Sequence, residues 1–372
     1  MSPGLIPAPD AIPVPGPFWL FHVLLVLTFF LHLVFMNLTL GGTLLAAVSQ
    51  ILSGGRAGDP RTVLASRMMG VNNYGISLTI TTGVAPLLFV QVLYQQYFYT
   101  ATILLGWIWF AFLGLLLAGY YSAYAYKFRG VPKSGAGGTG WLVFSALMFL
   151  LIAMIHVAVN LIHAQPEIWA RIADNPWSIL GDPAYFPRLL HFVFAGVAFS
   201  ALVLCWWSVR QVRRGTEVEL NRAIATFTWK WALGATVLQV VDGFLLLLVL
   251  PSHVLKGIMA GGVATLGPLA LAILLGLGLL MILSRVTDPV AASTTVTLTL
   301  GTLLGTIAVM SVTRHQVRAL YLEAARSQFV LATRSQLGPL VLFLVLLVAG
   351  LAAVAYMIAR VLASRATGDE AA

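Results

Sequence analysis

Nine apolar runs, each long enough to cross a membrane as a helix, constrain this chain more than any other feature. A hydrocarbon core about 30 Å thick needs roughly 20 residues of helix. The runs cover residues 17–48, 69–95, 100–126, 140–164, 187–210, 223–250, 256–284, 292–314 and 337–363. Because lipid cannot satisfy open backbone groups, we predict an all-α, polytopic membrane bundle of about nine transmembrane helices.

The composition agrees with a membrane location. The chain has 372 residues, of which 60% are hydrophobic and 9% are charged. A soluble globular protein carries about 25% charged residues, so this chain could not cover a water-facing surface. Its lone cysteine, Cys205, excludes an internal disulfide, an iron–sulfur cluster and a covalently attached c-type heme.

The loop charges predict the orientation. One side of the predicted bundle carries 13 Lys and Arg residues, and the other side carries seven. The positive-inside rule makes the richer side cytoplasmic, which places the N-terminus outside and the C-terminus inside. The formal charge of +9 therefore reports topology and gives no support to nucleic-acid binding. The outer seven are Arg171, Arg188, Lys256, Arg314, Arg318, Arg326 and Arg334.

Four of those outer charges fall in one segment, "RHQVRALYLEAARSQFVLATRSQ", after the eighth run. The segment is partly amphipathic, so we predict that it lies on the outer surface or holds a partner. A solvated loop is the alternative interpretation. No internal boundary divides the chain, and we treat 1–372 as one transmembrane domain with a Pro-rich outer leader (1–16) and a cytoplasmic tail (366–372).

Histidines within the apolar runs are the candidate functional residues. Four lie inside predicted spans, and a fifth marks the outer end of the fourth span: His22, His32, His156, His191 and His163. A histidine in lipid forms a hydrogen bond, relays protons or ligates a metal. Since the spans hold few carboxylates, the chemistry fits heme b best, for which His and Met are common axial ligands.

Two histidine arrangements leave alternatives open. His156, Asn160 and His163 are spaced by four and three residues and share one helix face, which suits either a heme or a hydrogen-bonding network to the next helix. His22 lies ten residues before His32, about 15 Å along the helix. It could meet a heme propionate, ligate another heme or form a local hydrogen bond.

Several segments resemble subunit I of the cytochrome bd quinol oxidases. "HLVFMNLTLGGTLLA" is similar to the family's first helix, whose histidine is a heme ligand, and His32 stands at that position. "RLLHFVFAGVAFSALVL" and "KGIMAGG" resemble the segments that carry the two axial ligands of the outer, low-spin heme b. The resemblance thus implies that His191 and Met259 are that pair, and that the chain binds two or three b hemes.

Departures from the family are equally informative. The long outer loop that binds quinol is reduced to "LPSHVLK", and the third helix, "GWIWFAFLGLLLAG", has no acidic residue. A glutamate heme ligand on the eighth helix aligns with Met310, which could replace it as a ligand or simply pack. The chain thus resembles a divergent member that kept heme ligands but lost quinol oxidation and oxygen reduction.

The resemblance implies an electron-transfer subunit of a respiratory chain in the bacterial inner membrane. Methionine ligation raises a heme potential, which suits exchange with a periplasmic c-type cytochrome. A second membrane subunit is expected. Asp242, the one acid deep in a span, could take up protons or pair with Lys256 or an outer arginine. A quinol oxidase with a rearranged quinol site and a non-redox transporter or scaffold remain the alternatives.

Overall fold

The computed structural model describes residues 12–130, 138–323, 325 and 331–367, and that part of the chain is almost entirely helical. Nine of its helices are long and apolar enough to cross a membrane, which confirms the predicted all-α architecture. Two others, α5 and α8, are short. The helices are α1 (Phe18–Ser53), α2 (Pro60–Leu105), α3 (Trp107–Ala125), α4 (Thr139–Ala164), α5 (Trp169–Asp174), α6 (Tyr185–Arg213), α7 (Val218–Leu248), α8 (Ser252–Ala260), α9 (Val263–Arg285), α10 (Ser293–Tyr321) and α11 (Leu337–Thr367).

Two predicted spans differ from the helices in a way that matters for the site. The run 256–284 is broken at Gly261 and Gly262, and Gly262 has φ +57°, a conformation that favours glycine. A short helix, α8, therefore precedes the membrane helix α9. In addition, α10 continues to Tyr321, so the prediction of a surface segment or solvated loop is wrong for residues 314–321.

Helix α1 lies at the centre of the bundle, between α2 and α6. It crosses α6 very closely at Gly41 and Gly196, where a Cβ atom added to Gly41 would lie 1.9 Å from the carbonyl carbon of Gly196. Only glycine permits this approach of two backbones, a device common between membrane helices. The crossing fixes α1, which carries His32, against α6, which carries His191.

The described part of the Pro-rich leader is held against the segment before α11. Val14 N–H donates to Ala332 O at 2.9 Å, and Arg334 N–H donates to Val14 O at 2.9 Å. The Gln95 side chain, on α2, also bonds the backbone of Ile12 through both its oxygen and its nitrogen. These contacts lie at the N-terminal end of α1 and beside the C-terminal part of α2, on the side that the loop charges predict to be outer. Residues 1–11 of the leader and 368–372 of the tail lie outside the described residues.

Candidate functional site

His191 is oriented by an acid on the neighbouring helix. Its Nδ1 lies 3.1 Å from Oδ2 of Asp242, whose side chain is buried between α6 and α7. A carboxylate oxygen accepts, so Nδ1 is the donor and Nε2 has no hydrogen-bond partner among the described residues. We expected Asp242 to take up protons or to pair with Lys256 or an arginine; the structure pairs it with His191. Metal-binding histidines commonly donate their second N–H to a carboxylate in this way.

His191 lines a cavity of about 260 Å³ enclosed by α1, α4 and α6 to α10. Leucine, isoleucine, valine, alanine and phenylalanine side chains form most of its wall. Met310 on α10 lines the same cavity, as do Arg188 and Arg314. The cavity is therefore apolar with a cationic region.

Three arginines form a group in the outer part of the bundle. Arg314 lies over the Phe29 ring at 4.2 Å, and Arg318, only 6% exposed, lies over the Tyr94 ring at 5.2 Å. Arg188 donates to Asn160 Oδ1 at 3.2 Å. No carboxylate of the described residues forms an ion pair with any of the three. Burying a guanidinium without an anion is costly, so this group is suited to hold an anionic ligand.

His32 and His156 each have the ring-nitrogen arrangement seen at His191, with Nδ1 bonded to an acceptor. His32 Nδ1 lies 3.1 Å from Thr79 O, and His156 Nδ1 lies 2.9 Å from Ile152 O. Because a carbonyl only accepts, Nδ1 carries the proton in each ring and Nε2 is the nitrogen that can bind a metal. His156 is also exposed at mid-helix, beside the rings of Trp109 and Phe112, where a bare imidazole would meet lipid.

A second cavity, of about 480 Å³, lies near the outer ends of α1, α2 and α10. His22 and His315 line it, with ring centroids 4.9 Å apart. His163 is 1% exposed, packs against Tyr94 at 5.2 Å between ring centroids, and has a buried Nε2 without a partner in the described part of the chain. Tyr94 also contacts His22 and Arg318, so these residues form one outer cluster.

Met259 is the predicted site residue that belongs to none of the groups described above. It lies on α8, is 65% exposed and does not line the cavity that holds His191. The cause is the break at Gly261 and Gly262, which gives α8 its own direction. Met310 is the methionine that shares a cavity with His191.

Sequence reasoning missed the arginine group and His315. We counted Arg188, Arg314 and Arg318 as outer-loop charges, because charged residues usually mark the end of a span. One signal was available: "TRHQVRALY" contains no Gly or Pro, so nothing ends the helix before Tyr321. Arg314 and Arg318 are four residues apart and would then lie on the same helix face.

Comparison with known proteins identifies the fold. No protein-family model and no curated protein matches the chain. Among solved structures, the chain is similar to the bd oxidase from Geobacillus thermodenitrificans, with a TM-score of 0.74 and 13% sequence identity. The match covers 94% of this chain and 100% of that chain. At this identity the likeness shows the fold, which is a bd-oxidase-like bundle of a multi-pass membrane protein.

Proposed function

We propose that this chain is a b-type cytochrome subunit of a respiratory chain, which exchanges electrons with a periplasmic c-type cytochrome. The observation that carries the proposal is the first cavity. It combines a histidine whose Nε2 is available, apolar walls and two arginines that lack an acidic partner among the described residues. Heme b needs these three features: an axial ligand, an apolar pocket and cations for its propionates.

In this proposal His191 is the iron ligand and Asp242 is its positioning residue. The hydrogen bond at 3.1 Å fixes the ring orientation and directs Nε2 away from α7. Met310, which lines the same cavity, would be the second ligand, and Arg188 and Arg314 would bind the propionates. A bound heme b supplies reversible one-electron chemistry.

His32 and His156 would hold a second heme, since each presents Nε2 with Nδ1 already bonded to a carbonyl. His22, with His315 across the second cavity, and His163 are candidates for contacts to a third. The proposal thus keeps the expected number of two or three b hemes.

The position of His191 supports electron exchange at the outer surface. It is the seventh residue of α6, about 9 Å of helix rise from the outer end. Loss of quinol oxidation is supported by the short connection between the spanning helices α7 and α9, which consists of residues 249–262 and includes α8. Loss of oxygen reduction is supported by α3, which carries no acid. A second membrane subunit would cover the exposed apolar faces of helices such as α11.

A pyridine hemochrome assay and a reduced-minus-oxidised spectrum of the purified protein test this proposal. We expect b-type bands in the wild type and a loss of heme in His191→Ala. His253→Ala is the matched control, because His253 is exposed on α8 and lines neither cavity described above. A colourless wild type would refute a heme function, and oxygen uptake driven by quinol would show that the oxidase activity remains.

A further inference from the structure

The cavity at His191 reaches the lipid-facing surface of the bundle between α7 and α9. Among the described residues that line this cavity, Phe244 on α7 and Leu277 on α9 are the exposed ones, at 49% and 42%. The other lining residues are buried or half-buried. A fully enclosed pocket would hold a heme equally well, so the proposed electron-transfer role does not by itself account for this opening.

Helix α8 closes the outer end of the cavity. Its residues Val254 and Ile258 are 0% and 2% exposed, and they pack in one cluster with Leu269 and Val317. Ile258, Leu269 and Val317 also line the cavity. A ligand that came from the outer aqueous phase would have to displace α8 and expose this apolar cluster to water, which is unfavourable.

The inner end of the cavity is closed as well. Trp229 holds α7 against the inner end of α9, because its Nε1–H donates to Leu283 O at 3.1 Å and to Val286 O at 3.0 Å. Leu279 and Leu303 are the innermost lining residues of α9 and α10, and they are 2% and 9% exposed. The opening therefore lies between two closed ends and faces the bilayer.

The opening is tall, and glycine keeps it free of side chains at two positions. From Leu269 to Leu277 the lining of α9 rises about 12 Å, which is comparable to the width of a porphyrin. A Cβ added to Gly276, which lines the cavity, would meet no atom within 4 Å. On α7, a Cβ added to Gly243 would lie 3.4 Å from His191 Cε1, so glycine leaves the ring uncovered on this side.

The cations of the cavity lie toward its outer end. Arg188 is the fourth residue of α6, about 5 Å of helix rise from the outer end, and Arg314 lies about 10 Å from the outer end of α10. Carrying carboxylates through hydrocarbon is costly. A ligand that moves sideways from the outer leaflet keeps its carboxylates at the level of the arginines while its apolar ring passes between α7 and α9.

We propose that the opening between α7 and α9 admits heme b to the cavity from the outer leaflet, and that Phe244 and Leu277 set the width of this passage. The arginines then bind the propionates, and His191 Nε2 forms the bond to iron. His191 needs no proton transfer for this step, because Nδ1 already carries the ring proton. This inference rests on the proposed heme function.

The rates of heme uptake and release test the passage. Full-length apoprotein in lipid nanodiscs is mixed with hemin, and the Soret absorbance gives the uptake rate; transfer to an excess of an aqueous heme scavenger gives the release rate. We expect Leu277→Ala to raise both rates several-fold and Leu277→Trp to lower both several-fold. A passage changes the barrier equally in both directions, so the affinity should stay near the wild-type value.

Leu274 provides a matched control on the same helix. It is 66% exposed and does not line the cavity, so Leu274→Ala and Leu274→Trp change the same lipid-facing surface away from the opening. Both variants should keep the wild-type rates. Wild-type rates in the two Leu277 variants would overturn the proposal. A change in release alone would overturn it too, because that result indicates an altered contact with bound heme.

Iron-free protoporphyrin IX separates passage from ligation. Its fluorescence reports uptake, and in a His191→Ala background the order of rates among the Leu277 variants should be the same as for hemin. Heme that binds through His191 at equal rates in all variants would keep the heme function and refute the passage. Apoprotein that takes up neither hemin nor protoporphyrin would refute both proposals.

Discussion

Asp242→Asn offers the most direct test of how the protein tunes the proposed heme. The substitution keeps the shape of the side chain and an oxygen that can accept from His191 Nδ1, but it removes the negative charge. A carboxylate beside the ligand favours the oxidised, more positively charged heme. Its loss should therefore raise the midpoint potential.

The size of the shift follows from the hydrogen bond of 3.1 Å between His191 and Asp242. A hydrogen bond to a charged group is worth about 1 kcal/mol more than a neutral one. For one electron this corresponds to roughly 40 mV, since about 1.4 kcal/mol corresponds to 59 mV. Because Asp242 is buried, solvent screening should not erase the difference.

A spectroscopic redox titration of purified protein measures the shift. Asp288→Asn is the matched control, because Asp288 lies in the inner loop before α10 and pairs with Arg222. We expect its potential to stay at the wild-type value. An unchanged or lowered potential in Asp242→Asn, with heme content intact, would refute the assignment of Asp242 as the residue that positions a heme ligand.

Three further predictions concern the cavity and the helix crossing. Met310→Leu should change the absorption bands of the heme at His191 and lower its midpoint potential, because the variant loses the proposed methionine ligand. Met259→Leu, at an exposed position, should change neither property. The reverse result would restore Met259 as the ligand. Arg314→Gln should weaken heme binding about tenfold or more, since a charge-assisted hydrogen bond contributes about 1.5–3 kcal/mol. A heme titration of the apoprotein measures the affinity. An unchanged affinity would mean that the propionates bind elsewhere. Gly41→Ala should destabilise the bundle by about 1–3 kcal/mol or more through overpacking, whereas Gly301→Ala, where a Cβ meets nothing within 4 Å, should be neutral. Thermal unfolding in detergent compares the two variants, and equal melting temperatures would contradict the close crossing.

The sequence was sufficient for the architecture because the bilayer imposes a simple length rule. Apolar runs longer than the roughly 20 residues that a membrane helix needs predicted all nine spanning helices that the structure describes. The histidines were also found from the sequence, since a polar ring in such a run is rare. His191 and Met310 share a cavity, although Met310 was expected either to ligate a different heme or simply to pack.

The sequence could not show the side-chain contacts that form between residues far apart in the chain. Arg318 was taken as a loop charge because burial of a guanidinium depends on the helices around it and on what it binds. The partner of Asp242 was likewise unpredictable, as it lies 51 residues away on α6. Met259 was nominated from a short motif, and the turn at Gly262 then gave α8 a direction that the motif does not encode.

The contact between Val14 and Thr333 has a consequence for biosynthesis. It joins a residue before α1 to a residue after α10, so ten of the described helices are synthesised between them. The bridge cannot form until Thr333 has been synthesised, so Val14 lacks this partner while α1 to α10 insert. Closure of this bridge should therefore follow the insertion of α10, and a nascent chain halted before Thr333 should leave Val14 accessible to protease.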